Sequence, residues 1–165
     1  MFVRGSIMPD SNIAVTVQEL GSMRVASVRV ISATPERDSW ARMKAWAAAR
    51  GLLDLKQNPI FGFNSPDPEP RQSVYGYEYW MKVDGATEIG GDAAERHFDG
   101  GLYAVATCRV SDPWKDIPSA WGSLLQWALK NGYSVGPHQY FEVPEDPDAP
   151  DNKLVLRLYC PIAKK

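Results

Sequence analysis

The sequence has little of what marks the common function classes. It holds two cysteines, Cys108 and Cys160, in 165 residues, too few for a disulfide scaffold. Both sit inside apolar runs, where reduced, buried thiols are expected. The two histidines, His97 and His138, show no ligand spacing with these cysteines, which argues against a zinc site. Lys and Arg number 18 against 20 Asp and Glu, a formal charge of −2, and no basic block occurs. Without a positive field, direct nucleic-acid binding is not expected. Apolar runs such as GLYAVATC (101–108) fall far short of the ~20 residues of a membrane span, so no membrane association is expected. The leading MFVRGSIMPDSN has no apolar centre of the kind a signal peptide needs, and residues 1–12 read as a loose segment of a cytoplasmic protein. GATEIGGDAAERHFDGG (85–101) is rich in glycine but lacks the lysine and the strand-to-helix placement of a phosphate loop, and reads as a connector. No nucleophile elbow with a Ser-His-Asp order is present. Neither a cofactor nor a metal is expected.

What the chain does have is an apolar fraction of 44%, enough for one globular domain with a real core, and an internal echo. GSMRVASVRV (21–30) lies over GLYAVATCRV (101–110) with Gly, Val, Ala, Arg and Val in common, and WARMKAWAAARG (40–51) lies over WGSLLQWALKNG (121–132). Trp40, Trp46 and Gly51 thus fall on Trp121, Trp127 and Gly132. A matched strand and helix in one order indicate a duplicated unit, 13–83 and 94–162, within a single domain over 13–162.

Local signals assign structure to each copy. Thr34 followed by Pro35 starts a helix whose stripe is Trp40, Met43, Trp46 and Ala47, and Gly51 ends it. Ile117, Trp121, Leu124, Leu125 and Ala128 predict a second helix over about 117–131, ended by Gly132. Runs of β-branched and aromatic residues predict strands at 13–19, 22–31, 59–64 and 74–83, then 94–98, 101–110, 138–143 and 153–161. The acidic, proline-rich loops SPDPEPRQS (65–73) and PEDPDAPDN (144–152) join the last two strands of each copy. The expected class is α+β: a duplicated strand-strand-helix-strand-strand unit, antiparallel sheets, both helices on one face and a ligand groove on the other. The four matched tryptophans read as core.

Within VYGYEYWMKV (74–83) strand alternation puts Glu78 on one face with Trp80. In HQYFEV (138–143) it puts Glu142 with Tyr140 and His138, opposite Phe141 and Val143. The small Ala104, Ala106 and Cys108 suit packing under a helix, which leaves Tyr103 on the open face. A carboxylate in an apolar strand costs several kcal/mol to desolvate unless it is compensated. An ion pair with Arg24, Arg29, Arg109 or Arg157, or hydrogen bonds from tyrosine hydroxyls, would explain one such glutamate. Two, each beside aromatic rings, suit a lipophilic cation, because the carboxylate supplies charge while the rings supply cation–π attraction and apolar area.

At these residues the chain resembles the GyrI-like small-molecule-binding domain, the effector module of AraC- and MerR-type multidrug-sensing regulators. The resemblance covers about 13–162 and rests on the duplicated unit, FGFNSPDPEP followed by YGYEYW, GGLYAV, and QYFE ahead of LRLYCPI. It implies a ligand site with Glu142 and Glu78 as carboxylates and Trp80, Tyr103 and Tyr140 as ring walls. The helix-turn-helix of such regulators has no counterpart in these 165 residues, so direct transcriptional control is not expected. The resemblance implies a standalone sensor or sequestering module for lipophilic, cationic small molecules, and leaves open a separate DNA-binding regulator as partner. It also carries two alternatives, a hydrolase of cyclopropane-bearing alkylating agents using Glu78, Glu142 and Tyr103, and a protein-binding inhibitor of a gyrase-type enzyme. Binding without turnover is the expectation.

Overall fold

β-branched and aromatic runs alternate with two helical stripes along the chain, and the elements follow that order. The structure, a computed structural model, describes residues 13–70 and 73–165. The leading segment 1–12 lies outside the described residues, as do positions 71 and 72 of the first proline-rich loop. The strands are β1 (Val15–Leu20), β2 (Met23–Ser32), β3 (Ile60–Asn64), β4 (Tyr75–Val83), β5 (Ala94–Phe98), β6 (Gly101–Arg109), β7 (Tyr133–Val135), β8 (Phe141–Pro144) and β9 (Val155–Lys164). The helices are α1 (Pro35–Ala48) and α2 (Pro113–Lys130). The class is α+β with antiparallel pairing, as expected. The short β7 is an addition.

The chain divides into two compact units, a contiguous one over Ser22–Asp99 and a split one that joins the described residues up to Gly21 to Gly100–Lys165. In the contiguous unit β4 pairs with β3 and β2, and β2 pairs in turn with β5. In the split unit β6 pairs with β1 and β9, and β9 pairs with β8 and β7. The boundaries of the units therefore differ from those of the sequence echo. β1, which precedes β2 in the chain, pairs with β6, and β5, which precedes β6, pairs with β2. Local sequence carries no signal for this exchange, because pairing is decided by long-range burial.

α1 starts at Pro35, whose fixed φ suits the first turn and whose missing N–H costs nothing there. Its Thr34 makes no side-chain cap; instead the Asp38 carboxylate accepts from Ser32 Oγ at 2.6 Å and Thr34 Oγ1 at 3.1 Å. Trp40, Met43, Trp46 and Ala47 pack on Ala26, Val28, Tyr79 and Met81 of the contiguous sheet. Gly51, with φ of 70°, supplies the left-handed stop.

α2 begins a turn earlier than the apolar stripe predicts. Asp112 precedes Pro113, and Asp116 reaches back to accept the N–H of Ser111 at 2.8 Å and of Asp112 at 2.9 Å. Asp112 makes no side-chain cap in return, so the helix start is held from one side, by Asp116. Trp121, Leu124 and Ala128 lie against Ala104, Ala106, Cys108, Leu158 and Cys160, so the small β6 residues do sit under the helix. The other face of that sheet carries Tyr103, Phe141 and Tyr159, with ring centroids 5.7–5.8 Å from Tyr103.

Candidate functional site

The register of the split unit decides where Glu142 points. Ala106 stands opposite Leu158, and Leu158 opposite Glu142. Residues opposite one another in an antiparallel ladder share a face, and Ala106 and Leu158 belong to the core under α2. Glu142 therefore faces α2. Its Oε2 accepts the indole N–H of Trp121 at 3.2 Å, and the Tyr140 ring meets Trp121 edge-on at 5.6 Å. The carboxylate is 8% exposed. Its charge is felt by Cys108, whose thiol is pushed up to about 11, first by burial and then by the Asp116 and Glu142 carboxylates.

Glu142, Tyr140 and His138 were expected on one face of a strand 138–143, away from the helices and together with Tyr103; β8 starts only at Phe141, Glu142 and Tyr140 meet at Trp121 on the opposite face, and His138 parts from them to pack on Tyr103. Phe141 pairs with Tyr159 and packs with Tyr103, so it takes the face away from α2 and turns Glu142 under the helix. Tyr103 is fully buried on that other face. Its hydroxyl donates to the Gln139 carbonyl, and burial raises its pKa further above the ordinary value of 10.0. His138 packs edge-on to Tyr103 at 4.9 Å, with Nε2 at 2.7 Å from the Leu102 carbonyl.

In the contiguous unit Glu78 and Trp80 share a face, and that face is the one away from α1, since their neighbours Tyr77, Tyr79 and Met81 pack under the helix. Glu78 is compensated. Its Oε2 accepts from Ser27 Oγ and Trp80 Nε1, each at 2.7 Å, and lies 3.2 Å from Arg96 Nε. None of Arg24, Arg29, Arg109 and Arg157 is this partner. Arg24 instead pairs with Glu95 at 2.9 Å. Arg96 stands opposite Val25 on the β5–β2 ladder, on the same face as Ser27, and reaches Glu78 because β5 has joined this sheet.

The two units differ at one rung. In the contiguous unit Ala26, Met81 and Ile60 stand side by side across three strands. In the split unit the corresponding rung is Ala106, Leu158 and Glu142. A carboxylate thus stands under α2 where the other unit keeps an isoleucine under α1. Trp121, read from the sequence only as core, is the residue that meets it. The signal was available in outline: Trp121 matches Trp40, yet the strand partner of Trp40's sheet is apolar.

No curated protein matches the chain at a significant level. The family model of the GyrI-like small molecule binding domain matches residues 14–163. Among solved structures, the C-terminal domain of EcmrR superposes with a TM-score of 0.63 at 16% identity, covering 93% of this chain and 99% of that one. The chain spans 58% of the EcmrR chain in an EcmrR–DNA complex. SAV2435, solved bound to tetraphenylphosphonium, gives 0.55 at 15% identity over 92% and 94% of the two chains. A hydrolase from Listeria innocua gives 0.63 at 12% identity over 94% of each. At such identities the likeness to these structures is one of fold.

Proposed function

This chain belongs to the GyrI-like small-molecule-binding family, and from that premise we propose that it binds lipophilic cations, as a sensor or a sequestering protein, with Glu142 as the counter-charge. The observation that carries this is the buried Glu142 carboxylate at the indole N–H of Trp121, whose ring meets Tyr140 edge-on. A desolvated carboxylate gains most from a partner that brings positive charge without a tightly held water shell, and aromatic faces add cation–π attraction. The likeness to a structure holding tetraphenylphosphonium supports the same class of ligand. Glu78 and Trp80 are proposed as a second recognition point in the contiguous unit, and Tyr103 as an aromatic wall on its own face. The likeness to EcmrR supports a separate DNA-binding regulator as partner. Among the described residues no helix is long and apolar enough to cross a membrane; we place the protein in the cytoplasm.

Glu142→Gln keeps the shape and removes the charge. Calorimetric titration with tetraphenylphosphonium is expected to show a loss of about 1–3 kcal/mol, with uncharged aromatics of similar shape hardly affected. Equal loss for both, or none for either, would reduce Glu142 to a structural carboxylate.

Hydrolysis is a second reading, favoured by the Listeria neighbour. If Glu142 is a general base, the same substitution leaves affinity intact and lowers turnover of a hydrolysable ligand by about 10² to 10⁴. Tyr103 is poorly suited to assist it, since its hydroxyl is already donating to Gln139 and it occupies the other face of the sheet.

A further inference from the structure

β7 and β8 follow one another along β9, and the register breaks between them. Val135 stands opposite Ile162 and Phe141 opposite Tyr159, so the five residues 136–140 span only two of β9, Cys160 and Pro161. The Gly136 N–H still donates to the Pro161 carbonyl at 2.9 Å, which makes the excess of three residues a bulge within the sheet. An odd excess reverses the alternation of faces. Tyr133 stacks on Trp127 of α2 at 6.1 Å, so an unbroken strand would send Tyr133, Val135 and every second residue as far as Phe141 towards the helix. Glu142 would then point away from it. The bulge is what turns Glu142 to Trp121.

One side chain is built into that bulge. Glycines grip the His138 ring from both sides: a Cβ on Gly101 would fall 2.6 Å from Nε2, and one on Gly136 would fall 2.5 Å from Cε1 and 2.9 Å from Nδ1. Any larger residue at either position would displace the ring. Nε2 faces a carbonyl, which can only accept, so it carries the proton and donates to Leu102 at 2.7 Å. The next residue on each side repeats the tie, the Tyr103 hydroxyl donating to the Gln139 carbonyl. β6 thus holds the bulge at two consecutive positions, although its ladder neighbour is β9. We infer that His138 is a positioning residue for Glu142: keyed between Gly101 and Gly136, it fixes the bulge, and the bulge decides that the carboxylate faces α2. The inference rests on the binding reading above and deepens it by naming what holds the carboxylate in place. Without the key the bulge is free to slide along β9, and a slip of one residue puts Phe141 or Val143 on the helix face in place of Glu142.

The indole N–H of Trp121 reports the face directly, because its proton resonance lies downfield while Glu142 accepts it and moves upfield when that bond is lost. It is assigned by its absence from W121F. The resonance and the calorimetric affinity for tetraphenylphosphonium are measured in the wild type, H138A, H138Q, G101A and H138A/G101A, each checked for a cooperative melt. H138A is expected to move the Trp121 N–H upfield, in the direction that E142L gives, and to weaken the cation about tenfold. H138Q restores an N–H donor near the place of Nε2 and is expected to keep most of both. G101A pushes the ring out of its slot with a single methyl group. It is expected to match H138A, and to add nothing once His138 is already replaced. The G101A and H138Q arms hold even if H138A does not fold. A Trp121 N–H that stays in place in H138A and G101A overturns the inference even where the melting temperature falls, since His138 then serves only the fold. A double variant much weaker than either single one overturns it too. If E142Q weakens the cation while the His138 and Gly101 variants leave both readouts unchanged, only this inference fails. If the N–H moves in H138A and G101A but the wild type does not bind the cation, the binding reading fails and the positioning of Glu142 stands.

Discussion

The contiguous and split units set nearly the same helix on nearly the same sheet, and differ in what lies beneath. Under α1, Trp40 meets Tyr79 edge-on at 5.8 Å, and Ile60 completes an apolar core at 2% exposure. Under α2, the matched Trp121 turns its N–H to Glu142 on the rung that holds Ile60 in the other unit. The contiguous core thus keeps apolar side chains on this rung. The split core accepts a charge that burial disfavours, and such an exception to apolar patterning is where a binding role is to be sought. The glutamate of the contiguous unit lies instead on the face away from its helix and already has its arginine.

The comparison is broken most severely by moving the charge. Ile60→Glu places a carboxylate in the apolar core under α1, and urea unfolding is expected to show a loss of about 3–5 kcal/mol. The reciprocal change sharpens it. Glu142→Leu combined with Trp121→Phe removes the carboxylate and its indole donor together. Stability is expected to rise by about 1 kcal/mol while tetraphenylphosphonium binding is lost. A fall in stability would mean that the carboxylate serves the fold.

A smaller effect separates the units by pH. Both thiols, Cys108 and Cys160, lie in the split unit, and burial pushes each from 9.0 up to about 11. The folded state keeps these protons after the unfolded chain has begun to release them. Their contribution is therefore complete below about pH 9 and is lost as pH rises from there towards 11. Unfolding followed between pH 8 and 11 is expected to decline less steeply in a C108A/C160A variant. Equal slopes would show that other groups carry the alkaline sensitivity.

Much of this fold is legible in the sequence. Pro35 and Gly51 bracket α1 because each acts through its own backbone, and Ala104, Ala106 and Cys108 announce a helix above them by size alone. The start of α2 was missed because its signal is polar, an Asp116 that reaches back to Asp112, and not part of the apolar stripe. The embedded Glu78 and Glu142 are legible as anomalies. Their faces are only half so: alternation separates Glu142 from Phe141, but which of them looks at α2 depends on the β8–β9 register. Arg96 was not foreseeable beside Glu78, since it arrives on β5, a strand that local sequence assigns to the other copy.

The crossing of β1 and β5 between units also bears on how the chain is made. β2, β3, β4 and β5 of residues 22–99 pair with one another, whereas β1 finds its partner only when Gly101–Arg109 has emerged. On the ribosome the earliest strand is thus the one that waits, an unpaired edge carried ahead of a unit that closes behind it. A nascent chain stalled with residue 99 just outside the exit tunnel is expected to protect 22–99 from protease while β1 is cut; protection of β1 at that length would mean that it first pairs elsewhere. The late closure leaves the unit that carries Glu142 as the later of the two to acquire its shape.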